Sequence, residues 1–190
     1  AGTDTIDASG SEEKVTIYLE PGYWGFKGEA KADTITSNGQ ITVNFGTKIE
    51  NLIGSNFDDH LVGNELNNKI TGNAGNDTID GSAGIDTAIY SGSLSDFTLT
   101  KGTDSWAITT SDESDSLVNI ERLQFANTNV ALDLDGNAGK TAKLLGTILG
   151  AEGVSNKVYV GAGIYFLDGG MAYEELMQAA LDVVLGANAS

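Results

Sequence analysis

Four side chains able to donate oxygen recur at a fixed interval in the middle of this chain: Asp59, Asn68, Asp77 and Asp86, each nine residues after the last. Each closes a turn that a glycine opens, at Gly54, Gly63, Gly72 and Gly81, and each is followed two residues later by an apolar residue, Leu61, Ile70, Ile79 or Ala88. Hard oxygen donors set among glycine-rich turns are the chemistry of calcium, which takes six to eight oxygens at about 2.3–2.6 Å. Asp and Asn also build turns without any ion. It is the register of three columns over four units that favours ligation over a series of ordinary turns.

The period dictates what must position these residues. A nine-residue unit of turn plus short strand makes half a coil of a flattened parallel solenoid, so eighteen residues return the chain one strand higher. Asp59 and Asp77 then share one edge, and Asn68 and Asp86 the other. Strands lie about 4.8 Å apart, so an ion between stacked turns reaches oxygens on both. Without a cation the carboxylate column repels itself and inward carbonyls lose their partners. Such a fold is expected to form only with the metal present.

The units resemble the Gly-Gly-x-Gly-x-Asp-x-U-x repeat of RTX, or haemolysin-type, calcium-binding proteins. The flanking stretches Gly2-Thr-Asp-Thr-Ile-Asp-Ala-Ser-Gly10, Val15-Thr-Ile-Tyr-Leu19 and Gly46-Thr-Lys-Ile-Glu-Asn-Leu-Ile-Gly54 extend the likeness over residues 1–90 to the C-terminal β-roll domain of serralysin-type metalloproteases. The resemblance implies two calcium sites built largely from carbonyls. One uses Ser55, Phe57 and Asp59 with Gly72, Ala74 and Asp77; the other uses Asn64, Leu66 and Asn68 with Gly81, Ala83 and Asp86. Glu50 and Asp4 are weaker candidates. The sequence departs from the family pattern at position two, which is Ser or Asn throughout, at position four, where Phe57 and Leu66 replace glycine, and at Asn68, which replaces an acid and predicts a weaker site.

Composition narrows the function. The chain has 27 acidic against 10 basic residues and a net charge of -17, which repels nucleic acid and anionic membrane and attracts divalent cations. It has no cysteine, so thiolate metal sites and disulfides are excluded. No apolar run approaches the roughly 20 residues of a membrane span, and no secretory leader opens the sequence. In the RTX family that is expected, because type I secretion reads a C-terminal signal.

Outside the repeats, alternation predicts strands at Val15, Ile17 and Leu19 and at Ile41, Val43 and Phe45, with turns at Pro21-Gly22 and Asn38-Gly39. Tyr23, Trp24 and Phe26 read either as a carbohydrate platform or as an edge packed on the sheet. Beyond Tyr90, Phe97 and Leu99 are expected to pair with Trp106 and Ile108, and Val118, Ile120, Leu123, Phe125, Val130, Leu132 and Leu134 to form strands that cap or extend the coil. After Gly136 the period becomes helical. Ala142, Leu145 and Leu149 predict a short helix, Val160, Ile164 and Leu167 a second containing Gly161 and Gly163, and Tyr173, Leu176, Met177, Ala180, Leu181 and Val184 a third stopped by Gly186. This segment resembles a helical C-terminal domain of unknown function that follows RTX repeats.

Several catalytic patterns fail. Gly136-Asn-Ala-Gly-Lys-Thr141 lacks the first glycine of a phosphate loop, since Leu134 stands there. Gly161-Ala-Gly163 reads better as a close helix contact than as a dinucleotide loop. Asp133, Asp135 and Asn137 begin like an EF-hand, but Ala138 and Leu144 break it. His60, the single histidine, is placed in a turn and excludes a two-histidine zinc motif. The expectation is therefore a mainly β protein: a calcium-binding parallel β-roll with capping strands over residues 1–133 and a helical segment over 134–190. It is expected to be non-catalytic, secreted by a bacterium, and a partner of calcium and the type I secretion machinery. The alternatives are an accessory part of a metalloprotease or other hydrolase, or of an adhesin or surface-layer protein, whose catalytic or adhesive domain belongs to a longer chain.

Overall fold

A computed structural model describes residues 2–186. Among them are fourteen strands in two mixed sheets and three C-terminal helices. The chain divides into two compact units, Ala1–Val130 and Ala131–Ser190. Residues 187–190, the end of the expected helical segment, lie outside the described residues.

The repeat block forms five three-residue strands: β5 (Asn51–Ile53), β6 (His60–Val62), β7 (Lys69–Thr71), β8 (Thr78–Asp80) and β9 (Thr87–Ile89). They alternate between the sheets. β5, β7 and β9 pair in parallel in one, and β6 and β8 in the other. The chain thus changes sheet every nine residues and returns to the same sheet after eighteen. The central residue of each strand points inward, because side chains alternate across a strand.

In the first sheet the inward column is Leu52, Ile70, Ala88 and then Leu123; in the second it is Ile17, Leu61, Ile79 and Leu117, and all eight are at most 1 % exposed. Burying one such Leu or Ile stabilises by roughly 1.5–3 kcal/mol. Two dry columns therefore supply the core that three-residue strands lack singly.

Non-repeat strands continue both sheets. β1 (Thr5–Asp7) pairs in parallel with β5, and β2 (Val15–Tyr18) with β6. β12 (Ser114–Val118) is parallel to β8, and β13 (Arg122–Gln124) to β9. The second sheet is completed by antiparallel ribbons: β3 (Trp24–Lys27) and β4 (Gln40–Thr42) beyond β2, and β10 (Thr98–Lys101) and β11 (Trp106–Thr109) beyond β12. Leu99 faces Ile108 as expected, whereas Phe97 leaves the strand to join a ring cluster with Tyr90 and Phe125. Trp24 lies on β3, its indole N–H donating to Gln40, and Tyr23 packs on Tyr18.

Some expectations are corrected. Phe45 lies past the end of β4 and is 87 % exposed. β14 (Asn129–Ala131) stops before Leu132 and Leu134. His60 stands on β6, edge-on to Tyr18, not in a turn.

In the second unit, α1 (Asn137–Ser155) is longer than expected and breaks at Gly150, whose φ is 66°. α2 (Lys157–Asp168) starts on Asn156, whose side chain accepts the Val158 and Tyr159 N–H groups, and α3 (Tyr173–Leu185) ends at Gly186. Leu144, Leu167 and Leu176 form their core. Gly163 meets Thr141 so closely that a Cβ there would collide with the Thr141 methyl, which makes Gly163 a close helix contact.

Candidate metal centre

The four turns, Gly54–Asp59, Gly63–Asn68, Gly72–Asp77 and Gly81–Asp86, join successive strands, and in each the first and sixth residues are buried. Along one edge the position-six residues form a ladder. Asp59 Oδ1 accepts the Val15 N–H (2.7 Å), the Asp59 N–H donates to Asp77 Oδ1 (2.9 Å), and the Asp77 N–H donates to Asp115 Oδ1 (2.9 Å). Along the other edge the Asn68 N–H donates to Asp86 Oδ1 (2.7 Å) and the Asp86 N–H to Glu121 Oε2 (2.8 Å). Each carboxylate thus carries a backbone N–H from the preceding coil, a charge-assisted bond that fixes the carboxylate's position.

The turns fall into two classes. In the first pair the side-chain oxygens are satisfied from within the turn. Asp59 accepts both the Ser55 N–H and the Ser55 hydroxyl, and Asn68 Oδ1 accepts the Asn64 N–H at 2.8 Å. In the second pair, position two is left-handed (Asn73 φ 76°, Ser82 φ 68°) and position four is a glycine with large positive φ (Gly75 121°, Gly84 132°). There Asp77 Oδ2 and Asp86 Oδ2 are buried without any hydrogen-bond partner. Unpartnered buried carboxylate oxygens are costly.

That cost appears in their acidity. Burial pushes both Asp77 and Asp86 up to about 7; neighbouring acids add to it, Asp115, Asp59 and Asp58 for Asp77 and Glu121 and Asp80 for Asp86, against a backbone hydrogen bond that lowers each. Burial likewise raises Asp115, despite the Tyr90 hydroxyl bonded to its Oδ2 at 2.9 Å. A divalent cation on each edge would relieve the acids of that edge.

Backbone oxygens face the same gaps. A Cβ at Gly54 would lie 2.8 Å from the Gly72 carbonyl oxygen and 2.5 Å from Asp59 Oδ2. At Gly63 it would meet the Gly81 carbonyl and Asn68 Oδ1; at Gly75, the Phe57 carbonyl oxygen at 2.7 Å; at Gly84, that of Leu66 at 2.6 Å. Phe57, Leu66, Gly72 and Gly81 therefore turn carbonyls toward the adjacent turn, as a carbonyl-rich calcium site needs. The Asn64 carbonyl instead accepts the Ala83 N–H at 3.3 Å. Ser55 is fully buried, Ala74 is half-buried and Ala83 exposed. Among the described residues no three side chains of His, Cys, Asp or Glu converge on a metal position. A site here must draw on the backbone.

At the start of the second edge, amides stand where a cation would serve. Asn68 Nδ2 donates to the Ile49 and Glu50 carbonyls, and Asn64 Nδ2 also to Ile49. Glu50 and Asp4 meet through the Asp4 N–H, 2.8 Å from Glu50 Oε2.

Sequence reasoning missed Asp115 and Glu121. Their signals were present: Asp115 stands two before Leu117 as Asp77 does before Ile79, and Ile120-Glu121-Arg-Leu123 repeats Ile49-Glu50-Asn-Leu52. It also missed position five. Asp58 Oδ1 accepts the Asn76 N–H, Asn67 Oδ1 the Ile85 N–H and Asn76 Oδ1 the Ser114 N–H. These bonds run opposite to the position-six ladder and clamp neighbouring coils from outside.

Among the described residues no helix is long and apolar enough to cross a membrane. No curated protein matches the chain. The family model of the RTX calcium-binding nonapeptide repeat matches residues 53–88 in four copies. The block that builds both ladders is thus a run of four RTX repeats, and the ion that such repeats bind is calcium.

Proposed function

We propose that the chain is a non-catalytic, calcium-folded β-roll module of a secreted bacterial protein, exported by a type I machinery and completed outside the cell. The observation that carries this reading is the pair of buried, unpartnered carboxylate oxygens on Asp77 and Asp86, stacked among carbonyls within the matched repeats.

Calcium supplies the positive charge that lets these carboxylates stay ionised while buried. The residues that would hold it on one edge are Phe57, Asp59, Gly72, Ala74 and Asp77 with Ser55, and on the other Leu66, Asn68, Gly81, Ala83 and Asp86 with Asn64. Asp77 and Asp86 are the principal acids, because Asp59 already accepts three hydrogen bonds and Asn68 is neutral. The chain's own part is to hold the acids by backbone N–H groups and to exclude water with the two apolar columns. RTX repeats are typical of secreted bacterial proteins. Extracellular calcium modules bind at about 10⁻⁴–10⁻³ M, so the sites stay empty inside a cell and the acidic chain stays unfolded for export.

A circular-dichroism titration of the full chain tests this. Calcium should raise the β signal and chelator reverse it, with little response to magnesium. Full β signal in chelator, or equal response to magnesium, would overturn it.

A further inference from the structure

The second edge does not end with the repeats. We propose a further calcium position one rung beyond them, held by Asp86, the Asn119 carbonyl and Glu121; it rests on the reading that the repeats themselves bind calcium. The matched repeats stop at residue 88, and two of the three contributors lie some thirty residues later in the sequence.

Three observations place them together. First, β13 continues the sheet in parallel from β9, with Leu123 opposite Ala88, so the segment before it occupies the coil that follows the fourth turn. Second, Glu121 Oε2 takes the Asp86 N–H at 2.8 Å, as Asp86 Oδ1 takes that of Asn68 at 2.7 Å. Glu121 therefore stands on the next rung of the same ladder.

Third, Asp86 is 0 % exposed and its Oδ2 has no partner. The space beside Gly81 where a Cβ would sit is 2.6 Å from that oxygen and in closer contact with the Asn119 carbonyl oxygen. The space beside Gly54 is flanked in the same way by Asp59 Oδ2 and the Gly72 carbonyl, and that beside Gly63 by Asn68 Oδ1 and the Gly81 carbonyl. Asn119, at φ 50°, presents its carbonyl where a repeat glycine would present its own. Two carboxylates and a carbonyl form a hard, all-oxygen set suited to a divalent cation of flexible coordination.

The first edge ends differently. There the last carboxylate, Asp115, takes the Tyr90 hydroxyl on Oδ2, a neutral donor backed by the Phe97 and Phe125 rings. One edge is closed by a hydroxyl and the other by an ion.

Calorimetric titration of the full chain with calcium, for wild type and Glu121→Gln, tests the assignment. The amide keeps an acceptor for the Asp86 N–H and removes the charge. The variant should bind one ion fewer per chain, with the remaining ions bound as in wild type. Unchanged stoichiometry and affinity would overturn this position alone, whereas a wild type that binds no calcium would overturn the repeat reading with it. Should Glu121→Gln not fold, anomalous diffraction from wild-type crystals exchanged into terbium gives the same decision. A peak between Asp86 and Glu121 supports the position, and ions in the repeat turns with none there overturn it.

Discussion

The turns at Gly54–Asp59 and Gly63–Asn68 share period, register and burial with those at Gly72–Asp77 and Gly81–Asp86, yet they solve the same electrostatic problem in opposite ways. The first pair closes on itself, each position-six oxygen taking the N–H of position two. The second pair turns position two into the left-handed region and leaves an acid oxygen bare. The difference traces to position four. Phe57 and Leu66 resist positive φ, whereas Gly75 and Gly84 adopt it freely. A repeat can thus keep its place in the stack while giving up its appetite for an ion.

Removing that appetite from the open turns should have the largest effect. In Asp77→Asn combined with Asp86→Asn, both bare charges vanish. Each independent site saturated about 100-fold adds about 2.7 kcal/mol, so losing two removes about 5 kcal/mol, on the scale of total stability. Calcium-dependent thermal stabilisation should nearly disappear, while Asp59→Asn should retain most of it. Equal losses from the two variants would erase the distinction between the pairs.

Gly75→Ala should come next. It forces a side chain onto φ 121° and against the Phe57 carbonyl, costing about 1–3 kcal/mol in denaturant unfolding. Phe57→Gly, in a closed turn, should change stability by less than about 1 kcal/mol.

Acid should affect the calcium-free protein through the buried acids of the open turns, with Asp115, also raised by burial, acting in the same direction. Asp77 and Asp86 are raised to about 7, so the folded form binds protons more tightly than the unfolded one. Their contribution is fully present below pH 4 and is lost as pH rises through 7. The β signal in chelator should therefore rise on acidification from pH 8 toward 5, and calcium affinity should fall over the same range as protons compete. A β signal in chelator that stays flat between those limits would contradict the bare-acid picture.

The last variant tests the neutral position. Asn68→Asp exchanges two amide donations, to Ile49 and Glu50, for a charge facing Gly81. It should lower any β signal that remains in chelator, since two part-buried carbonyls each lose an amide donor, yet strengthen calcium binding roughly tenfold, about 1.4 kcal/mol. A variant that is weaker in both conditions would make Asn68 a structural amide only.

Much of this site was legible in the sequence because a solenoid-like period converts spacing directly into neighbourhood. Asp59 and Asp77, eighteen residues apart, could be assigned to one edge before any coordinates, and Leu61 and Ile79 to one column. Where the period lapses the inference fails. Asp115 joins Asp77 across a 38-residue separation that includes the β10–β11 ribbon, and no fixed spacing announces it. His60 was misplaced because its strand is only three residues long, too short for alternation to declare itself.

The sequence by itself determined the metal chemistry, the alternation of strands and the identity of the apolar columns, since these follow from a local period repeated four times. The tertiary structure decided which acids are bare and which are already hydrogen-bonded, and which distant residues continue each ladder. The first outcome depends on the backbone angles that positions two and four take up once the coils stack, and the second on the strand that stacks next, which no single nine-residue unit contains.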